Sequence, residues 1–385
     1  MKKRHFCSAI ILFIMTACGQ KEINSSDLVY LNLQQAEKLE TPKLSTLLKD
    51  IRYVALETDD NCVLKKVSYI VLTDKYIVCE DGVQCYVFDK ADGSFIRTVG
   101  LRKDRGPEGY ASPTTPLCVI GNEVLMLDWG KEKYNVYSLD NGKLLRKIPG
   151  EEAMAGVWTF EKVFPVNDTI LLQYPLNIEG KNQYGLKVRT LSGNYLKKYP
   201  STNNCESIDM TKFYMDMNEA AFYTYKGNTY FHECTSDTIF RLNGAYELEP
   251  CYVVGLGEML PTLAEVRTSG DMEKGKFVLL GDIVETNHWL LFPKNFWNDN
   301  AYFYHKAEQK MGYMNGKETK GFTNDLNGFL PFWPKDSGRG KAKNEVWAIL
   351  QPEEYLEGVE QTGKNPLGID LQFDDNPVIV IGTLK

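Results

Sequence analysis

Few residue types in this chain could carry covalent or acid–base chemistry, and their spacing limits what that chemistry could be. The chain has four histidines, His5, His232, His288 and His305. None stands in an HExxH pattern, and there is no GxSxG elbow, phosphate-binding loop or dinucleotide glycine run. His232 and His288 fall in predicted strands among apolar neighbours, where a packed histidine is expected rather than a base, because a base needs an orienting partner. The nine cysteines show no CxxC and no zinc-type spacing. Buried single thiols are expected, although Cys79 and Cys85 could face each other across a hairpin. Glu57, Asp59, Asp60 and Asn61 offer oxygen ligands without the spacing of a calcium loop and read as a solvated acidic loop. No metal or cofactor is expected. Ser138-Leu139-Asp140-Asn141-Gly142 and Asp92-Gly93 read as hairpin turns.

Two loops have side chains suited to binding. Residues 101–113 bring Arg102, Arg105, Glu108 and Tyr110 around Gly106-Pro107. Residues 332–345 bring Trp333, Lys335 and Arg339 into a long basic-aromatic stretch. Arginine can grip a carboxylate through two parallel hydrogen bonds, and aromatic rings can stack on a sugar face or a peptide. Trp129, Trp158, Trp289, Trp297 and Trp347 are expected in packing.

The start of the chain carries an address. Lys2, Lys3 and Arg4 precede the apolar run 6–15, and Thr16-Ala17-Cys18 follows. Residues 1–17 read as a secretory signal, too short to span a bilayer. Met-Thr-Ala-Cys resembles a bacterial lipobox, which implies that Cys18 is acylated and becomes the first mature residue. Buried acyl carbons each contribute about 0.8 kcal/mol to anchoring. Loss of the signal removes three basic residues and no acid, so the net charge of −7 becomes −10. That charge disfavours nucleic acid, whose affinity rests on neutralised phosphates. Residues 18–45 read as lipidated anchor and tether, on an outer-membrane lipoprotein facing the periplasm or the cell surface. The body is expected to be monomeric.

The elements that must position the candidate loops are short strands. From residue 64 onward, β-rich runs alternate with Gly, Asp and Asn turns at a period near 40 residues, which indicates a propeller. Four strand-like pieces in 67–99 are matched in order by 115–149, and further units occupy 157–200, 219–254 and 277–322. The last unit lacks a strand. Its members are GFLPFWP, EVWAIL and NPVIVIGTLK, and the early run DIRYVALET (50–58) supplies the fourth. The expected fold is therefore all-β, a six-bladed β-propeller over residues 46–385, closed by pairing an N-terminal strand with the C-terminal blade. Segments 201–218, 256–275 and 351–365 read as partly helical insertions.

DIRYVALETDD, YVFDKADGSFIRTVG, RGPEGY, FLPFWP and DDNPVIVIGTLK together resemble the landmarks of six-bladed β-propeller lipoproteins of gut anaerobes, relatives of the NHL-repeat propellers. That resemblance implies a fold, an anchor and a binding role, and it supplies no catalytic set. The expected function is a binding module for a glycan, peptide or partner protein. One alternative is a polysaccharide hydrolase or lyase, which would need two inward carboxyls about 5–9.5 Å apart. The other is an envelope scaffold, which would show a large exposed apolar patch.

Overall fold

Tyr76–Glu80 (YIVCE) and Cys85–Asp89 (CYVFD) are rich in β-branched and aromatic residues, which suit a pleated surface buried on both faces. Between them Asp81 turns the chain. Its carboxylate accepts from the Gln84 amide at 2.8 Å, and Gly82 takes φ +82°. The same logic builds every blade in the computed structural model. The structure describes residues 28–67, 69–82, 84–102, 106, 108–128, 133–149, 161–206, 208–209, 219–268, 276–293, 299–336 and 344–385.

Each blade is an antiparallel sheet with strands lettered A to D from the innermost outward. Blade 1 is Tyr69–Leu72, Tyr76–Glu80, Cys85–Asp89 and Phe95–Val99. Blade 2 is Ser112–Ile120, Glu123–Leu127, Lys133–Ser138 and Leu144–Pro149. Blade 3 is Glu161–Pro165, Ile170–Pro175, Tyr184–Thr190 and Tyr195–Pro200. Blade 4 is Ala220–Tyr225, Asn228–Glu233, Thr238–Leu242 and Leu248–Gly255. Blade 5 is Val284–Glu285, Trp289–Phe292, Asn300–His305 and Lys310–Asn315. Blade 6 takes Lys335–Asp336, Glu345–Leu350 and Val378–Leu384 from the end of the chain and Leu48–Ala55 from its start. Val378 pairs with Ala55 and Thr383 with Asp50, so the expected seam between the chain's ends is present.

The core is distributed between the blades. Ile379, Ile381 and Val54 of blade 6 meet Ile70, Ile77 and Phe88 of blade 1. Blade 1 meets blade 2 through Val78, Val87, Val124 and Tyr137, and blade 2 meets blade 3 through Val136, Ile148 and Leu171. Phe164 stacks on Phe222 between blades 3 and 4. Tyr223 and Leu290 join blades 4 and 5, and Phe303 and Val346 join blades 5 and 6. The layers thus run round a closed ring.

The C–D turns dock each blade on its predecessor. A Cβ on Gly93 would lie 1.9 Å from the Ala55 carbonyl oxygen, and one on Gly142 would lie 2.6 Å from that of Thr98. Both residues have positive φ, which glycine alone adopts without cost. The Asp92-Gly93 and Asp140–Gly142 turns are therefore structural. Asp140 accepts from Tyr76 Oη of blade 1 and from Asn122 Nδ2 of the A–B turn of blade 2.

Three expectations change. First, the stretch read as tether joins the body well before residue 46. Val29–Asn32 adds a parallel fifth strand to blade 4, Glu37–Lys38 adds one to blade 5, and Lys43 bridges Thr323. Alternation buries Leu31 and Leu33 while Tyr30 and Asn32 face outward, which a merely polar composition hides. Second, the apolar run 277–280 is not strand A of blade 5. Phe277 and Leu279 pack with Cys234 and with Val266 of helix α1 (Leu263–Arg267), so burial under an insertion overrides β propensity. Third, GFLPFWP contributes a single Phe322–Phe332 bridge, because Pro331 and Pro334 carry no amide for a ladder. The insertion at 351–365 is helical as expected, as α2 (Pro352–Thr362), with Pro352 in its first turn and Gly363 closing it at φ +66°.

Candidate functional site

Because neighbouring strands are antiparallel, the A–B and C–D turns lie at one end of the ring. The B–C turns and the blade-to-blade connections lie at the other. The two ends differ. Among the described residues, turns at the first end are tight, as at 121–122, 191–194 and 226–227. Of the described residues, the connection end holds 56–67, 176–183, 316–334 and 351–377, with the described parts of 100–111, 201–219 and 256–283. Insertions are concentrated there, over a ring that fixes their ends.

Beneath these connections lie buried charges. Glu80 ends strand B of blade 1, its carboxylate accepting from the Gly82 amide at 2.5 Å. Burial pushes its pKa up, against the pull of that amide and of Arg102. Glu161, partly buried, opens strand A of blade 3 and accepts from Gln173 Nε2; desolvation raises its pKa as well. Glu233 ends strand B of blade 4, is raised by burial, and accepts from Tyr174 Oη at 2.8 Å and Thr202 Oγ1 at 3.2 Å. Glu219, just before strand A of blade 4, forms a fully buried ion pair with Arg267 of α1, whose Nε donates to the Asn177 carbonyl at 3.2 Å. These contacts tie the B–C turn of blade 3 and the 256–283 insertion to the ring. Each of these carboxylates is engaged by donors of the fold itself.

Residues 101–102 and 108–110 form a firm platform. Leu101–Arg102 pairs with Gly109–Tyr110. Asn135 Nδ2 donates to the Gly109 carbonyl at 2.6 Å and Tyr137 Oη to that of Glu108 at 2.8 Å, while Gln84 Nε2 holds the Val99 carbonyl at 2.8 Å. Arg102 is half-buried, and among the described residues its buried Nε has no hydrogen-bond partner. Glu108 is exposed. Tyr110 does not reach the surface. Its ring lies edge-on to Tyr137 at 6.0 Å, its hydroxyl accepts from the Cys85 amide at 3.2 Å, and burial raises its pKa strongly. Tyr110 therefore holds the loop in place, which corrects its reading as a ligand contact.

The second predicted loop is not brought together with the first. Trp333 is half-buried against Phe322 at 5.8 Å, and among the described residues its buried Nε1 has no partner. Lys335 is exposed with Nζ 5.4 Å from the Trp347 ring. Lys335–Asp336 leads into the A–B connection, at the opposite end of the ring from residues 101–110. Arg105, Arg339 and Cys18 lie outside the described residues, as do Trp129, Trp158 and Trp297. Trp289 and Trp347 are buried as expected.

The remaining candidates are structural. His232 is fully buried with Nε2 2.9 Å from the Ser236 carbonyl, and burial lowers its pKa to about 4. His288 sits exposed in the A–B turn of blade 5 rather than in a strand, where Thr286 Oγ1 accepts from its amide. Cys79 pairs with Tyr86 and Cys85 with Glu80, so the two thiols point into different interblade layers and are free. Asp59 accepts from the Asn61 amide and Glu57 from that of Phe95. Among the described residues no cluster suited to a metal occurs, and no helix is long and apolar enough to cross a membrane.

Sequence reasoning missed Glu161, Glu219, Glu233 and Arg267. Their only signal was a lone charge at the edge of an apolar run, as in NEAAFY and YFHEC.

In structure the chain is similar to a protein of Bacteroides fragilis NCTC 9343 described as a presumed exported protein. The TM-score is 0.64 at 16% identity, covering 93% of this chain and 99% of that one. A member of the DUF4221 family from Bacteroides vulgatus ATCC 8482 gives 0.47 at 13% identity, covering 88% and 97%. A catalytically inactive virginiamycin B lyase from Staphylococcus aureus gives 0.41 at 9%, covering 85% and 83%. No curated protein matches in sequence. The model of a family described as a domain of unknown function, DUF4934, matches residues 28–383, nearly the whole propeller with its N-terminal strap, and the chain belongs to that family.

Proposed function

We propose that this chain is a cell-envelope lipoprotein that binds a glycan, a peptide or a partner protein on the connection end of its propeller. Residues 1–17 export it and Cys18 anchors it in the outer membrane. Export is also what the description of the Bacteroides fragilis propeller states for that protein. The observation that carries the reading is the asymmetry of the ring. Tight turns close one end, and long connections on a rigid base occupy the other, where Asn135, Tyr137 and Gln84 pin the platform of residues 101–102 and 108–110. The carboxylates buried at that end support binding over acid–base catalysis, since each is committed to donors within the fold.

Thermal stability of the purified chain against panels of glycans and peptides tests this. A ligand at a hundredfold excess over its dissociation constant stabilises the folded state by about 2.7 kcal/mol. The stabilisation is expected to fall with Arg102→Ala and to survive Lys335→Ala at the opposite end. Loss with Lys335→Ala and not with Arg102→Ala would put the site on the wrong end. Cys18→Ser is expected to abolish acyl labelling and release the protein from membranes.

A further inference from the structure

At the connection end of blades 6 and 1, two loops are stapled together by one side chain. Asn376 is buried. Its Oδ1 accepts from the Leu64 amide at 2.8 Å, and its Nδ2 donates to the carbonyls of Glu57 at 2.6 Å and Cys62 at 2.7 Å. Its own amide donates to Thr58 Oγ1 at 2.7 Å. Residues 57–64 and 371–376 are thereby held side by side. Each presents a large apolar side chain to solvent: Val63 is 53% exposed and Phe373 is 73% exposed. Phe373 stands on a fixed turn. The Gln372 amide donates to Asp375 Oδ2 at 2.7 Å, the Asp375 amide to the Gln372 carbonyl at 3.2 Å, and buried Leu371 anchors the entry. A rigid exposed aromatic loses little conformational entropy on binding, which is the character of an interface hot spot.

The exposed charges on the two segments that carry this pair are mostly acidic: Asp59, Asp60, Asp370 and Asp374, against Lys65 and Lys66 after Leu64. Asp60, Asp370 and Asp374 form no ion pair among the described residues. An anionic membrane surface would be repelled by these acids, and two copies of the same patch would repel each other.

We propose that Phe373 and Val63 form the apolar centre of a docking surface for a cationic, apolar protein segment. An aliphatic or aromatic side chain of that partner covers Phe373, and its Lys or Arg residues face Asp60 and Asp374. The proposal rests on the binding reading above and names the class of partner.

The test uses the full chain in detergent and labelled peptides of three kinds: Lys/Arg with Leu and Phe, Asp/Glu with Leu and Phe, and a neutral polar control. The cationic apolar peptide alone should bind, more weakly as salt rises. Phe373→Ser, and separately Val63→Ser, should weaken it about tenfold without moving the melting temperature. Asp60→Asn with Asp374→Asn should flatten the salt dependence. Equal binding of cationic and acidic peptides, or wild-type affinity in Phe373→Ser, would overturn the proposal. So would a Phe373-dependent dimer in sedimentation, which would give the surface to a second copy. Stabilisation by a glycan that ignores Phe373→Ser, with no peptide bound, would leave the binding module standing and remove this surface.

Discussion

Gly93 and Gly82 share a backbone conformation, φ +81° and +82°, and differ in what surrounds them. A Cβ on Gly82 meets nothing within 4 Å, whereas one on Gly93 would lie 1.9 Å from the Ala55 carbonyl oxygen and 2.9 Å from its carbon. Alanine at Gly82 bears only the left-handed cost of about 1–2 kcal/mol, partly offset by about 0.4–1 kcal/mol from a less flexible unfolded chain. The net loss is about 1 kcal/mol. Alanine at Gly93 bears that cost and must also push the C–D turn of blade 1 more than an ångström away from strand D of blade 6. The bond from the Glu57 amide to the Gly93 carbonyl, 2.9 Å long, goes with it, at about 1 kcal/mol. The adjoining layer of Val54, Phe88 and Ile379 loosens too. Gly93→Ala should therefore cost about 2 kcal/mol more than Gly82→Ala. Urea unfolding followed by tryptophan fluorescence gives both values in one background. A difference under about 0.5 kcal/mol would mean that the turn does not bear on the seam, and the docking role assigned to the C–D glycines would fall.

Glu219→Ala removes the carboxylate that neutralises fully buried Arg267 and should cost about 3–5 kcal/mol. Glu219→Leu with Arg267→Met should recover most of that in the same unfolding assay. His232 has its pKa lowered to about 4 from 6.5, so the folded state binds fewer protons than the unfolded one in that window. Its contribution is present above pH 6.5 and is lost as pH falls through 4, about 3 kcal/mol in all. His232→Gln should remove that slope from a pH series of urea midpoints. Glu161 is shifted the other way: its raised pKa costs stability as pH rises above 4.5, so Glu161→Gln should stabilise the protein at neutral pH. Leu31→Ser should cost about 2 kcal/mol and expose the strap to protease, while Tyr30→Ser, on the outward side of the same strand, should do neither.

Where turn chemistry and strand alternation agreed, the fold was legible from sequence. Asp92-Gly93 and Asn141-Gly142 mark the C–D turns of blades 1 and 2, and lone strands at both ends announced the shared sixth blade. Legibility failed where tertiary burial decided. Residues 277–280 have strand composition and pack instead under α1. Val29, Leu31 and Leu33 alternate over too short a span, within too polar a stretch, to be distinguished from a tether. Of the candidate binding residues, Arg102 and Glu108 do share one platform. Tyr110 was indistinguishable in sequence from an exposed aromatic, since its burial depends on Tyr137 and Cys85 of other strands. The buried carboxylates had no motif: Glu233 and Glu219 find their partners in blade 3 and in α1, far off in the chain, and Glu80 and Glu161 find theirs in an ordinary turn amide and a neighbouring strand.

The strap alters how an anchor at Cys18 would act on the ring. Strand D of blade 6 begins at Leu48 and holds the chain's two ends together, so a pull applied there would open the closure. Between the anchor and that strand lie Val29–Asn32 on blade 4, Glu37–Lys38 on blade 5 and the Lys43–Thr323 bridge. Among the described residues, the attachment nearest to Cys18 in the chain is the parallel ladder of Val29–Asn32 with Tyr252–Gly255, backed by buried Leu31 and Leu33. Tension along a strand loads its ladder in shear, where several bonds must fail together, whereas tension across an edge opens them one at a time. A strap laid lengthwise on blades 4 and 5 thus passes force into finished sheets before it reaches the seam. It also covers the outer edges of those two blades, which would otherwise offer unpaired backbone to other chains.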